Sequence, residues 1–267
     1  TYARGMLKHI RADGRMHPTL RIDGTETGRI SGRDPNLLNI PRSETKEGKM
    51  AKCIFRATPG NRLVQLDFSQ QELRVAAALS GDEAMKKVFQ AGEDLHWFTA
   101  RAIAQVAWGI APDQVLKEHR SFAKSVIFGL IYGKTDGGLA EQLGISVEEA
   151  AKIRKAILGR FPQLRRYIKD MLARGRRERG VEIPWDDETV RWRPLPMIGA
   201  TADKFVRMKI NAENSTINTP VQGRASDYCL ASLSVIEDWL EREAVPAKCV
   251  LSVYDSIIFD VDPFAVD

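Results

Sequence analysis

The chain has 267 residues, 43% hydrophobic and 28% charged, enough for one large or two modest globular cores. No apolar run approaches the roughly 20 residues of a membrane span, and the N-terminal TYARGMLKHI lacks a signal peptide's apolar core, so membrane and secretory classes drop out and a soluble, cytoplasmic site of action is expected. Cys53, Cys229 and Cys249 are scattered and indicate neither a disulfide framework nor a zinc site, while 40 Lys plus Arg against 35 Asp plus Glu give +5 and a pI near 9.1, a mild lean toward a polyanionic partner.

Residues 1 to 20 read as the end of a helix and a turn at Asp13-Gly14, begun without a helix start signal, so an upstream part is expected to be missing. Thr25 to Pro41, TETGRISGRDPNLLNIP, is a loop. Its Arg29, Asn36 and Asn39 can donate to phosphates or base edges, although turn-forming asparagine accounts equally for two of them. Lys52 to Ala57 and Arg62 to Phe68 read as two strands of a hairpin about Thr58-Pro-Gly-Asn61. On the second, Leu63, Gln65 and Asp67 share a face, so an acid closes the strand just before Ser69 and Glu72, which fit a capping box for a helix from Gln70 to Leu79. A further helix is expected from Asp94, a candidate N-cap, to Val106, with His96 in its first turn.

The helix after Pro112 contains RSFAKSVIFGLIYG, in which Arg120, Lys124, Phe128 and Tyr132 recur every fourth residue and share one face. Two cations followed by two rings suit a nucleoside triphosphate, anionic at one end and flat at the other. Snorkelling cations beside two core rings would explain a lone pair, but not the continuation into F-G-x-x-Y-G. Gly129 and Gly133 are expected where a backbone or a base comes close. Lys134 to Gly138 then reads as a loop, and Ser146 with Glu149 as a capping box for a helix stopped at Gly159 and Pro162. The next helix runs to Gly180, and its Arg174, Arg176, Arg177 and Arg179 make either a solvated face or a phosphate contact. Residues 181 to 200 read as irregular or a short hairpin. One helix from Lys204 to Asn218-Thr219-Pro220, a second from Val221 to about Glu243, and strands Lys248 to Val253 and Ile257 to Val261 about Tyr254-Asp255-Ser256 complete the chain. No internal repeat is present.

Asp67 and Asp255 thus each stand at a strand end. Adjacent strands of one sheet would bring them together, where two divalent cations between repelling carboxylates suit in-line phosphoryl transfer; the alternative is two unrelated acids.

Four motifs, in order, resemble family A DNA polymerases, the bacterial DNA polymerase I type and its phage relatives. TGRISGRDPNLLNIP is similar to T-G-R-L-S-S-x-x-P-N-L-Q-N-I-P, LDFSQQELR to D-Y-S-Q-I-E-L-R, the Arg120 helix matches R-x-x-x-K-x-x-x-F-G-x-x-Y-G, and INTPVQGRASD followed by VYDS is similar to I-N-x-P-x-Q-G-x-x-A-D followed by V-H-D-E. The resemblance spans about residues 10 to 262. It implies an α+β fold of right-hand polymerase architecture, an antiparallel palm sheet with a large helical fingers insertion and the thumb mostly absent. Residues 1–20 would be a remnant of the thumb/palm junction, 21–81 and 200–267 palm, and 82–199 fingers.

The resemblance further implies DNA-directed DNA synthesis on primer-template DNA from deoxynucleoside triphosphates, with two Mg2+ ions held by Asp67, Asp255 and the backbone carbonyl of Phe68. Arg120, Lys124 and His96 would hold the triphosphate, with Lys124 also catalytic as proton donor to pyrophosphate. Gln70, Glu72, Phe128 and Tyr132 would complete the nucleotide site, Glu72 as a wall at the sugar's 2′ position. Gly133 would lie by the template base and Arg29, Asn36, Asn39, Gln222 and Tyr254 along the DNA. A monomer without membrane partner, acting near the nucleoid of a bacterial or phage-infected cell, follows.

Three departures stand out: Ser256 for the family's Glu, Tyr254 for its His, and Asn214 for a usual Arg. They lean toward a viral source and leave two alternatives, a single-subunit RNA polymerase-like enzyme, since the phage type carries H-D-S here, and a non-catalytic DNA-binding remnant. Phe128-Gly129 and Glu72 argue against the first; retention of Asp67, Asp255, Arg120 and Lys124 argues against the second.

Overall fold

The computed structural model describes residues 2–41, 45–186 and 188–265. Along the chain run α1 (Tyr2–Leu7), β1 (Thr19–Arg21), β2 (Ser31–Arg33), α2 (Lys46–Lys52), β3 (Arg62–Asp67), α3 (Gln71–Ser80), α4 (Glu83–Gln90), α5 (Leu95–Trp108), α6 (Lys117–Ile131), α7 (Asp136–Leu143), α8 (Val147–Arg160), α9 (Pro162–Glu178), β4 (Gly180–Pro184), β5 (Val190–Pro194), α10 (Val206–Arg242), β6 (Ala247–Val253) and β7 (Ser256–Val261). Residues 1–69 and 225–267 form one compact unit and residues 70–224 another, inserted within it in sequence. The class is α+β, an antiparallel sheet with a large helical insertion. Among the described residues no helix is long and apolar enough to cross a membrane.

The first unit is built on the antiparallel sheet β3-β7-β6. Its central strand β7 reads Ser-Ile-Ile-Phe-Asp-Val, and the alternate residues Ile257, Phe259 and Val261 pack with Cys229 and Leu240 of α10. Burying each such side chain contributes about 1.5–3 kcal/mol, so Phe259→Ala would cost about 3–5 kcal/mol. On the other side of β7 the buried Asp260 carboxylate accepts from the Thr58 N–H and hydroxyl, and Arg15 donates to that same hydroxyl at 2.7 Å. This corrects the expected 52–57/62–68 hairpin. β3 pairs instead with the distant, more apolar β7, residues 58–61 are tied to Asp260, and Thr45 caps a helix that runs through Lys52.

In the second unit α5 packs against α6 and α8. Asp82, fully buried, caps two helices at once: Oδ1 accepts from Ala84 and Met85 N–H, both at 3.1 Å, and Oδ2 from Gln163 and Leu164 at 3.0 and 3.1 Å. The helix α4 that it starts was not anticipated from the sequence. The expected 134–138 loop is also corrected, because Thr135 caps α7 through the Gly138 N–H, so the helix begins at Asp136 despite two glycines. Likewise, α10 continues through Pro220 where two helices were expected. Buried Ile217 and Val221 flank the proline, and Gly175 of α9 lets Thr216 approach so closely that a Cβ there would lie 2.4 Å from its methyl, so packing outweighs the lost backbone bond. The Ser146–Glu149 capping box forms as expected, and β4–β5 is the short hairpin.

Candidate active site

In the first unit, Asp67 ends β3 opposite Ser256, and Asp255 lies in the two-residue turn joining β6 to β7. The Phe68 N–H donates to the Asp255 carbonyl at 2.9 Å, extending the ladder one step and fixing both acids at the same sheet end. Both are exposed. Partial burial, and then the negative charge of Asp255, push the Asp67 carboxyl above its ordinary value. Tyr254 holds a left-handed φ of 56°, a sparsely populated conformation for a side-chain-bearing residue beside this acid. Its hydroxyl donates to Asn39 Oδ1 at 2.9 Å, and the Arg29 guanidinium lies 5.3 Å from its ring centre. Asn36 caps a short 3₁₀ turn through the Leu38 N–H at 3.0 Å, which is the turn role that its type allows. Ser256 is buried and accepts from Gln65 Nε2 at 2.9 Å, so its side chain is spent inside the sheet. Among the described residues no group of three or more His, Cys, Asp or Glu is gathered to hold a metal.

In the second unit, Arg120, Lys124, Phe128 and Tyr132 follow one another along one side of α6, and Ala123, Val126, Ile127, Leu130 and Ile131 of the same helix are buried. Arg120 donates to Asp94 Oδ2 from Nη2 at 2.6 Å and Nε at 3.2 Å. Asp94 is also the N-cap of α5, accepting at Oδ1 from the His96 and Trp97 N–H groups at 2.7 and 3.0 Å. Burial would raise its carboxyl, but hydrogen bonds from Arg120 and the Trp97 N–H outweigh that and hold it below the ordinary value. His96 is buried with Nδ1 unpartnered, and burial, reinforced by the charges of Arg120 and Lys124 against that of Asp94, pulls it down to about 4. It is neutral at pH 7.

The rings of His96 and Phe128 are 5.8 Å apart and those of Phe128 and Tyr132 5.7 Å, forming a continuous aromatic run. The Tyr132 hydroxyl donates to Glu72 Oε2 at 2.6 Å. The N-cap of α3 falls on Gln70, φ 53°, one residue beyond the expected Ser69, and the Gln70 Oε1 accepts from the Leu95 N–H at 3.1 Å. Gly133, φ +74°, admits a backbone as expected, since a Cβ would lie 2.8 Å from Asn214 Cα; Gly129 instead makes room for Leu139 of α7. Gln222 is half-buried on α10. Arg174, Arg176 and Arg177 pair with Glu178, Glu182 and Glu213, which favours the solvated face over a phosphate contact. The partnership of Asp94 with Arg120 was not legible in the sequence, where Asp94 signalled only a cap.

The model of DNA polymerase family A matches residues 1–267. The chain belongs to DNA polymerase family A. It is 36% identical over 245 residues to DNA polymerase I of Chloroflexus aurantiacus, covering 92% of this chain and 25% of that protein. With DNA polymerase I of Streptococcus pneumoniae the identity is 35% over 262 residues, covering 98% and 29%. The chain therefore spans about a quarter of the length of the curated relatives it matches. Among solved structures it is similar to the POL domain of Pol1 from M. smegmatis in complex with DNA primer-template and dNTP, with a TM-score of 0.87 and 31% identity over 98% of this chain and 44% of that one. Tyr254 and Ser256 flank Asp255 at the sheet end, and Asn214 lies on α10 against Gly133.

Proposed function

We propose that this family A chain carries the synthetic site of a DNA-directed DNA polymerase, adding deoxynucleotides to a primer 3′-hydroxyl along a template with release of pyrophosphate. The observation that carries the reading is the pair Asp67 and Asp255, fixed at one end of adjacent strands, with Asp67 raised by partial burial and then by the charge of its neighbour. Such a pair has an unmet demand for positive charge. The donor set fits Mg2+, a hard ion commonly held by one or two carboxylates together with substrate phosphates and water. Asp67, Asp255 and the Phe68 carbonyl would hold two such ions, which when bound activate the primer hydroxyl and neutralise the phosphates.

Residues 21–81 and 200–267 serve as palm and residues 82–199 as fingers. Arg120 and Lys124 bind the triphosphate, and neutral His96 contributes an N–H rather than a charge. Asp94 restrains the Arg120 guanidinium, and Lys124, exposed on the same face, gives a proton to the leaving pyrophosphate. Phe128 lies against sugar and base, Gln70 and Glu72 border the sugar with Glu72 held by Tyr132, and Tyr132 and Gly133 border the template base. Arg29, Asn36, Asn39, Gln222 and Tyr254 line the duplex, with Tyr254 acting through Asn39 because its hydroxyl proton is directed there.

Extension of a labelled primer on a primed template, with deoxynucleotides and then ribonucleotides, tests this. Template-dependent extension with deoxynucleotides preferred is expected. Ribonucleotide preference would favour the RNA polymerase-like alternative, whose H-D-S motif shares the serine at 256, and no extension by the full-length protein would leave a binding remnant.

A further inference from the structure

From Ala150 to Lys169 the chain carries seven Lys or Arg and no acid, more than its whole net charge of +5. The basic character of the protein is therefore this one helical hairpin, α8 and α9. Arg154 is paired with Asp136 at 3.2 Å. The other six, Lys152, Lys155, Arg160, Arg165, Arg166 and Lys169, are exposed, and none makes an ion pair among the described residues, although Glu149 acts on Lys152 and Asp170 stands next to Lys169 and four residues after Arg166. They are opposite the packed sides, since Ile153 and Ile157 of α8 and Leu164 and Ile168 of α9 are buried.

A merely solvated helix face mixes signs, because like charges three and four residues apart are destabilising. The C-terminal part of α9 does mix them, with Arg174, Arg176 and Arg177 matched to glutamates. The stretch before it does not, and a polyanion supplies the missing charge. Single strands are gripped by stacking bases on exposed rings. Here Phe161 is fully buried and the Tyr167 hydroxyl is buried, so the face offers cations without a stacking platform. That composition fits the evenly spaced phosphates of a double helix.

We propose that the exposed face of the α8–α9 hairpin is a second DNA-binding surface, separate from the residues of the synthetic site, which takes the backbone of duplex DNA without regard to sequence.

The test uses the whole chain and the quadruple variant K155Q/R165Q/R166Q/K169Q, in which glutamine keeps helix propensity. Affinity for a blunt 20-base-pair duplex is measured across salt concentration, so the result is independent of whether the chain synthesises DNA. Each phosphate contact contributes roughly 0.9 to the slope of log affinity against log salt, so the variant should lose up to about 3.6 from that slope and at least about tenfold in affinity. Circular dichroism should stay unchanged. An unchanged slope and affinity would overturn the proposal, as would a loss confined to single-stranded DNA or one of equal size for poly-glutamate.

Discussion

Asp94 accepts both the Nη2 and Nε hydrogens of Arg120 on one carboxylate oxygen while its other oxygen caps α5. One side chain thus fixes the cation on α6 to the helix start that carries His96. The two tasks can be separated, because asparagine caps a helix about as well as aspartate but brings no charge. Asp94→Asn should leave melting nearly unchanged and raise the nucleotide KM several-fold with a smaller effect on kcat. Asp94→Ala should add a loss of about 1 kcal/mol in stability. A KM unaltered in Asp94→Asn would show that the pair only supports packing.

Glu72 and Tyr132 form a second such pair, at 2.6 Å. Since the α3 N-cap is Gln70, a capping role no longer explains Glu72. Glu72→Ala should raise ribonucleotide use relative to deoxynucleotide use, and should cost about 1–3 kcal/mol by leaving the Tyr132 hydroxyl short of its acceptor. Tyr132→Phe, which removes this one hydrogen bond and keeps the carboxylate, should shift the sugar ratio in the same direction but less. The ratio of kcat/KM for the two sugars, with a melting curve, checks both; an unmoved ratio in Glu72→Ala would contradict the sugar-wall role.

Asp82 is structural and should behave so. Replacing it with alanine strips four helix N–H groups of their acceptor, and about 3 kcal/mol or more should disappear from the unfolding free energy. Chemical denaturation measures it; a change below about 1 kcal/mol would mean that water replaces the carboxylate.

Protonation of His96 should weaken the fold. Its folded pKa of about 4 lies below the ordinary 6.5, so between those values the unfolded chain binds more protons. Stability from this group is therefore full above about pH 6.5 and is lost as pH falls toward about 4, amounting to about 3 kcal/mol at most. His96→Gln should flatten the dependence of melting on pH in that window. Equal slopes in wild type and variant would contradict it.

These cases show what the sequence discloses. The α6 face was legible because a four-residue period is local, and the sheet-end acids because each follows a short strand-like run, Asp67 as the last residue of β3 and Asp255 in the turn after β6. The 52–57 strand failed because β3 takes its partner β7 from the far end of the chain, a choice that no local pattern records. The break at Pro220 failed because tertiary packing of Ile217 and Val221 outweighs the proline's local preference. Asp94 announces itself in sequence only as a cap and Asp82 not at all, because their distant partners, Arg120 and the start of α9, lie 26 and about 80 positions away.

The most direct test of the central assignment is template-dependent primer extension with Mg2+ by the wild type, Asp67→Ala and Asp255→Ala. The wild type should extend with deoxynucleotides. Each variant should fall by at least about a thousandfold, several kcal/mol of transition-state stabilisation, while its melting temperature and duplex affinity stay close to wild type. Extension by either variant at a rate within about tenfold of wild type would contradict the assignment of Asp67 and Asp255 as the catalytic pair.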